Sequence, residues 1–270
     1  MLSLRLLAPS TAAALVVAVA AQAGAQDLAP HRAAYTVTMT ENGKPTGSSS
    51  GTYAYELKLT CDGYVSTQRL QLDLAGGRGS ATTEQQTQMT ESKDGKKLVF
   101  EHRSTTGGRR TSLMKGEATL GDDGSGEARF TEPEGQTVKL PAGTYFPAAI
   151  LRATIRAAKA GENGSEGLFF FGDKVKPPLA VNALIGKVPK RLSDVKIPEG
   201  AEELADGRAR IYYRAGFFDA DTKQQGEPVF EMSSVTLDNG IELYGTHEQS
   251  EGGIEYRITR LEALPKPTCK

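Results

Sequence analysis

Apolar and polar residues alternate along most of this chain. Tyr53, Tyr55, Leu57 and Leu59 are separated by Ala54, Glu56 and Lys58, and Leu70, Leu72 and Leu74 by Gln71 and Asp73. Successive side chains of a strand point to opposite faces, so a period of two predicts strands with one buried and one wet face. Segments 85–91, 97–104, 110–120, 127–131 and 136–140 continue the pattern. Gly76-Gly77, Asp94-Gly95, Gly107-Gly108 and Asp122-Asp123-Gly124 lie between them, spaced as the turns of consecutive hairpins. The first half therefore reads as an antiparallel meander.

One stretch changes period. Residues 144–160 (TYFPAAILRATIRAAKA) are Ala-rich, with Thr144 as a cap before Pro147, apolar residues at Phe146, Ile150, Leu151 and Ile155, cations at Arg152, Arg156 and Lys159, and Gly161 as a stop. They predict a single amphipathic helix whose apolar stripe packs on a sheet face. Strands resume at 167–171 and 179–188; 189–207 reads as polar and irregular; further strands follow at 208–218, 228–237, 241–249 and 254–264. Asp238-Asn239-Gly240 and Glu251-Gly252-Gly253 are hairpin signals. The expectation is a mainly β protein of about fourteen strands: one large, strongly curved antiparallel sheet, spiral or open-barrel-like, with no linker dividing it.

Composition adds exclusions. Thirty-two Lys and Arg against 33 Asp and Glu leave no basic bias to attract a phosphate backbone, so no nucleic-acid partner is expected. The long apolar run sits at the start: Arg5, then the uncharged 12–21, then Ala23-Gly24-Ala25, which has the form of a secretory signal cleaved after Ala25. Residues 26–270 would then form one domain with no transmembrane segment, in the periplasm.

Export changes the meaning of the only two cysteines. In an oxidising compartment Cys61 and Cys269 have each other as the one intramolecular partner, which predicts a disulfide. In the chain-entropy account, closing so long a loop stabilises by roughly 5 kcal/mol before strain. A redox role lacks the C-x-x-C spacing.

Chemical motifs are weak. Gly47-Ser48-Ser49-Ser50-Gly51 matches G-x-S-x-G, but a nucleophile elbow needs a strand before and a helix after, so a flexible hairpin turn is expected instead. His31, His102 and His247 are isolated from any metal-ligand spacing and read as packing or surface residues. Asp219-Ala220-Asp221 opens like a calcium loop, yet Lys223, Gln224 and Phe230 occupy later required positions. Asp122 to Glu127 is first a turn, and Glu202-Glu203 lie where no desolvation is predicted. No catalytic residue, metal or cofactor is expected from these patterns.

Several elements together resemble a known family. His31-Arg32-Ala33-Ala34-Tyr35, Cys61-Asp62-Gly63-Tyr64, Arg69, Glu91-Ser92-Lys93-Asp94-Gly95, Leu140-Pro141-Ala142-Gly143-Thr144-Tyr145-Phe146-Pro147 and the penultimate Cys269 look like the EipB family of periplasmic cell-envelope integrity proteins. Tyr64 departs from the Trp often found there. The resemblance implies a β-spiral of about fourteen strands and a disulfide joining the positions matched by Cys61 and Cys269. It also implies a non-enzymatic protein that supports the envelope by binding another envelope protein. Two alternatives remain open: a carrier of lipid or lipoprotein acyl chains in the concave face, and a hydrolase of envelope polymers.

Overall fold

The computed structural model describes residues 28–41, 43–76, 79–219, 226–250 and 252–269; the signal-like segment lies outside them. The strands are β1 (His31–Glu41), β2 (Lys44–Leu59), β3 (Gly63–Gly76), β4 (Gly79–Ser92), β5 (Lys97–Thr106), β6 (Arg109–Leu120), β7 (Gly126–Glu132), β8 (Thr137–Leu140) and β9 (Thr144–Tyr145). Helix α1 (Pro147–Lys159) follows, then β10 (Gly164–Phe169), β11 (Leu179–Gly186), the short helices α2 (Lys190–Ser193) and α3 (Glu202–Ala205), and β12 (Arg210–Asp219), β13 (Phe230–Leu237), β14 (Glu242–Gln249) and β15 (Gly252–Ala263).

All fifteen strands belong to one sheet, in the order β8-β7-β6-β5-β4-β3-β2-β1-β15-β14-β13-β12-β11-β10-β9. Laid flat at the usual strand spacing, such a sheet would be roughly 65–70 Å wide. Yet its two edge strands, β8 and β9, are joined only by residues 141–143. A link of that length spans at most about 14 Å, so the sheet has to roll until its edges nearly meet. The right-handed twist of strands supplies the curl. The result is a nearly closed, barrel-like sheet in which β1 and β15, from opposite ends of the chain, are neighbours in the middle.

Three details differ from the sequence reading. Among the described residues there are fifteen strands, close to the expected fourteen, and the sheet is mixed, because β9 pairs with β10 in parallel. The segment 47–51 is part of strand β2, and the turn lies at Glu41–Lys44 instead. Backbone there runs so close to β3 that a Cβ on Gly51 would lie 2.2 Å from the Gln71 carbonyl oxygen, a position that tolerates no side chain. Finally, 189–207 is not simply polar and irregular. Leu192, Val195, Ala201, Leu204 and Ala205 are buried against Val235, Leu237, Leu243 and Tyr244, so this stretch and its two helical turns cover part of the sheet's outer face.

Much of the concave face is covered by the chain itself. Helix α1 lays Ala148, Leu151, Ile155 and Ala158 between Leu57 and Tyr64 on one side and Ile211 and Ile185 on the other. Those residues come from strands far apart in the sheet, which places the helix across the hollow of the roll. Beyond β10, Phe170 and Phe171 fold back onto Leu98, Phe100, Phe130 and Leu140. At roughly 25 cal/mol per Å² of apolar area, the burial of so many large side chains dominates the stability of the roll.

The predicted cysteine pair is joined: Cys61, in the β2–β3 turn, and Cys269 are bonded, with Cα atoms 5.5 Å apart and 208 positions between them in sequence. Because β1 lies between β15 and β2, the tail after Ala263 crosses the end of β1 to reach that turn, held on the way by Leu264 N–H donating to the Pro30 carbonyl.

Candidate functional site

Among the described residues two carboxyl groups enter the concave face, Glu91 buried and Glu242 half-buried, and sequence reading singled out neither. Glu91, only 3% exposed, projects from β4 toward the start of α1. Its Oε2 accepts from the Ala148 N–H and its Oε1 from the Ala149 N–H, both at 2.7 Å. The first N–H groups of a helix have no partner within it, so this carboxylate does the work of a cap from another element. Thr144, the expected cap, instead sits in β9 and donates its hydroxyl to the Pro141 carbonyl, while the residue preceding the helix is Phe146, which makes no side-chain cap bond.

One turn along α1 the Arg152 guanidinium lies 5.3 Å from the centre of the Tyr64 ring. Arg152, one of the cations of the amphipathic pattern, is 5% exposed, and its charge helps hold the Glu91 proton off. Burial nevertheless prevails over the two helix N–H bonds and Arg152, raising the Glu91 carboxyl to about 7. Beside it is a cavity of about 50 Å³ lined by Leu28, Tyr55, Gln68, Met89 and Leu151, room for a few water molecules.

Glu242 enters the concave face further round the sheet. Alternation would put Glu242 and Tyr244 on one face, but a bulge in β14 sets Glu242 opposite Thr236 and Tyr244 opposite Val235. The extra residue turns Glu242 inward and Tyr244 outward. There the Tyr256 hydroxyl donates to Glu242 Oε2 at 3.0 Å, Ser234 supplies a second hydrogen bond, and the Tyr35 hydroxyl holds the Glu242 backbone carbonyl at 2.9 Å. The rings of Tyr35, Tyr53 and Tyr256 pack with centroids 5.1–5.7 Å apart. Gly245 makes room for this arrangement, since a Cβ there would lie 2.3 Å from the Tyr256 hydroxyl oxygen. Burial raises Glu242 to about 7 as well, with the hydroxyl bonds opposing it.

The residues marked in the sequence are dispersed. His31 Nδ1 donates to the Ala29 carbonyl at 2.7 Å; His102 lies between the Thr87 hydroxyl and the Phe171 carbonyl at 3.0 and 2.9 Å; His247 stacks on Phe230 with centroids 4.5 Å apart. Burial lowers all three below the usual histidine value, so they are neutral packing groups. Asp123 binds the Ser125 N–H and hydroxyl within the β6–β7 turn, and Glu202-Glu203 begin α3. The serine side chains at 48 and 49 and residues 220–225 lie outside what is described. Among the described residues no group of three or more His, Cys, Asp or Glu is placed to hold a metal, and no helix is long and apolar enough to cross a membrane.

A rolled, barrel-like sheet that packs its own helix across its hollow and ties its tail to an early turn defines the architecture, and a family profile matches the chain over residues 22–264. The chain belongs to the EipB-like family. It is 24% identical over 252 residues to the cell envelope integrity protein EipB of Brucella abortus (strain 2308), covering 90% of this chain and 87% of that protein. In fold it is similar to the crystal structure of a β-barrel-like protein from Brucella abortus, described as a domain of unknown function. That likeness has a TM-score of 0.78 and 23% identity, covering 89% of this chain and all of that one, 100%.

Proposed function

We propose that this chain is a non-enzymatic periplasmic protein, exported with cleavage after Ala25, that supports cell-envelope integrity by binding another envelope protein. The observation that carries the reading is the use of the concave face: α1, Phe170 and Phe171 occupy it, so contacts with other macromolecules are left to the outer face. Its family relative is a cell envelope integrity protein by name. Cells lacking the chain are expected to lose viability under detergent challenge and to regain it when the chain is restored. Photo-crosslinking side chains at outer-face positions Arg69 and Gln88 are expected to yield a discrete adduct with one envelope protein. Normal resistance of the deletion strain, with no adduct from any outer position, overturns the proposal.

A specific observation favours the carrier as second reading: Leu70, Leu72 and Ile254, on the concave side, and Met232 are only partly buried. Native mass spectrometry of protein purified from the periplasm distinguishes the two. Co-purifying acyl species favour the carrier, and a bare mass favours the scaffold.

A further inference from the structure

The outer face of β12–β15 carries a polar cleft of about 570 Å³, bounded by α2 on one side and by the ends of β1, β14 and β15 on the other. Its size lies within the range of small-molecule sites, but most such sites are apolar and this one is not. We propose that the cleft is a saccharide site, taking one or two rings of a neutral, hydroxyl-rich glycan.

The floor is built of fixed hydroxyl groups. Ser233 and Thr246 are cross-strand partners with their side-chain oxygens 2.8 Å apart, and the Tyr244 hydroxyl donates to Glu255 at 3.0 Å. The bulge that turns Glu242 inward is what brings Tyr244 to this face. Around the floor stand charges of both signs, with Glu41 exposed at the rim and most of the others already held. Arg214 donates to Glu231 at 3.1 Å, the Thr40 hydroxyl to Glu248 at 3.0 Å, and Arg257 to Glu255 at 2.8 Å while lying 4.9 Å from the Tyr244 ring centre.

This pairing selects the ligand. An anion would meet Glu41, Glu231, Glu248 and Glu255, and a cation, though drawn by the more numerous carboxylates, would meet Arg191 and Arg214; a Lys-rich peptide tests that attraction directly. A carboxylate holding one donor still has free lone pairs, and a guanidinium holding one acceptor still has free N–H groups. Vicinal hydroxyls donate and accept at once, so they satisfy both without requiring a net charge. Tyr212, half-buried in the cleft wall, supplies an apolar ring for the C–H face of a pyranose. Charges immobilised by their neighbours also lose little freedom on binding.

The test uses the full mature chain with two neutral probes, maltotetraose and the N-acetylglucosamine tetramer, which separate plain from acetamido sugars. A Lys-rich peptide and inorganic phosphate serve as charged controls. Titration calorimetry is expected to show saturable binding of at least one tetrasaccharide and of neither control. Arg214→Ala and Glu231→Gln, both at exposed side chains, are expected to weaken it roughly tenfold or more, the effect of losing a hydrogen bond to a charged group, with melting temperature unchanged. Gln88→Ala, on the outer face of β4, is expected to leave it intact. The proposal is overturned by no saturable binding of either saccharide at about 10 mM, far above the Kd of a useful site. It is equally overturned by binding of the peptide or phosphate alone, or by saccharide binding indifferent to both cleft variants. Saccharide binding in vitro does not require the protein partner, so either reading can fail without the other.

Discussion

The two carboxyl groups of the concave face reach the same value by different routes. Glu91 meets two helix N–H groups and a nearby guanidinium, all of which favour its charged form, whereas Glu242 meets only hydroxyls, from Tyr256 and Ser234. Burial drives both to about 7. The lesson is that a buried carboxyl is structural in two senses. Glu91 orders another element, because α1 would begin with unpaired donors without it. Glu242 orders its own sheet neighbours, and a neutral hydrogen-bonding group could replace it. Loss of Glu91 should therefore damage the docking of α1, while loss of the Glu242 charge should cost little.

The largest effect tests the region around Glu91 from outside. Cys61→Ser removes a constraint of roughly 5 kcal/mol at most, and for a domain of this size each kcal/mol corresponds to about 2–4 °C. The melting temperature is expected to fall by up to about 10–20 °C under oxidising conditions, with the fold retained. Tyr64 lies close to the clamp and beneath Arg152, so hydrogen exchange should accelerate at α1 before it does so at β14. An unchanged melting temperature contradicts the clamp; uniform acceleration contradicts the coupling to α1.

Next comes Glu91→Ala, which leaves the Ala148 and Ala149 N–H groups unpaired at the start of α1. The expected loss is about 2–5 kcal/mol by chemical denaturation, at roughly 1–3 kcal/mol for each buried donor left unpaired. A loss below about 1 kcal/mol would mean that water takes over the cap.

Titration provides a third comparison. Both carboxyls hold their protons more tightly in the folded than in the unfolded chain, where the ordinary value is 4.5. Their stabilising contribution is thus complete below about pH 4.5 and is lost as pH rises through about 7, by about 3 kcal/mol per group at one pKa unit per 1.4 kcal/mol. The buried histidines bend the curve the other way on acidification, so the informative quantity is a difference between variants. Glu242→Gln is expected to match wild type near pH 5 and to exceed it by up to about 3 kcal/mol near pH 8. Parallel curves would refute the neutral, hydroxyl-bound state of Glu242.

The smallest effect concerns room, not charge. Gly245→Ala pushes a methyl group against Tyr256 and is expected to cost about 1–3 kcal/mol, the usual penalty of overpacking. If it also shifts the pH dependence toward that of Glu242→Gln, the Tyr256 bond is what distinguishes the Glu242 site.

Much of the fold was legible locally. The period of two in Tyr53–Leu59 and Leu70–Leu74 marks β2 and β3, Gly161 ends α1 at a φ of +77°, and Asp238-Asn239-Gly240 makes the β13–β14 turn. Glu91 shows in the sequence only as the start of a turn motif, because a lone carboxylate on a strand carries no sign of the helix 57 positions away that it will cap. Arg152 escapes notice for a related reason: helical periodicity ranks it as polar, and the Tyr64 ring and the Glu91 charge, both from other elements, are what make its burial tolerable. The 189–207 segment hid its apolar residues because their spacing follows two short turns rather than any sustained period. Glu242 was missed because a bulge breaks the alternation by which it would have been read.

The sequence by itself determined the meander, the helix, the two-cysteine pairing and the family. Each of these depends on neighbours in the chain, on the count of a rare residue, or on the order of short motifs. Only the tertiary structure decided how far the sheet rolls, which residues its hollow encloses, and that two carboxyl groups end up sharing that hollow with tyrosines and a helix. Those outcomes depend on strands remote in sequence becoming neighbours, and on one-residue shifts in register that turn a side chain from one face of a sheet to the other.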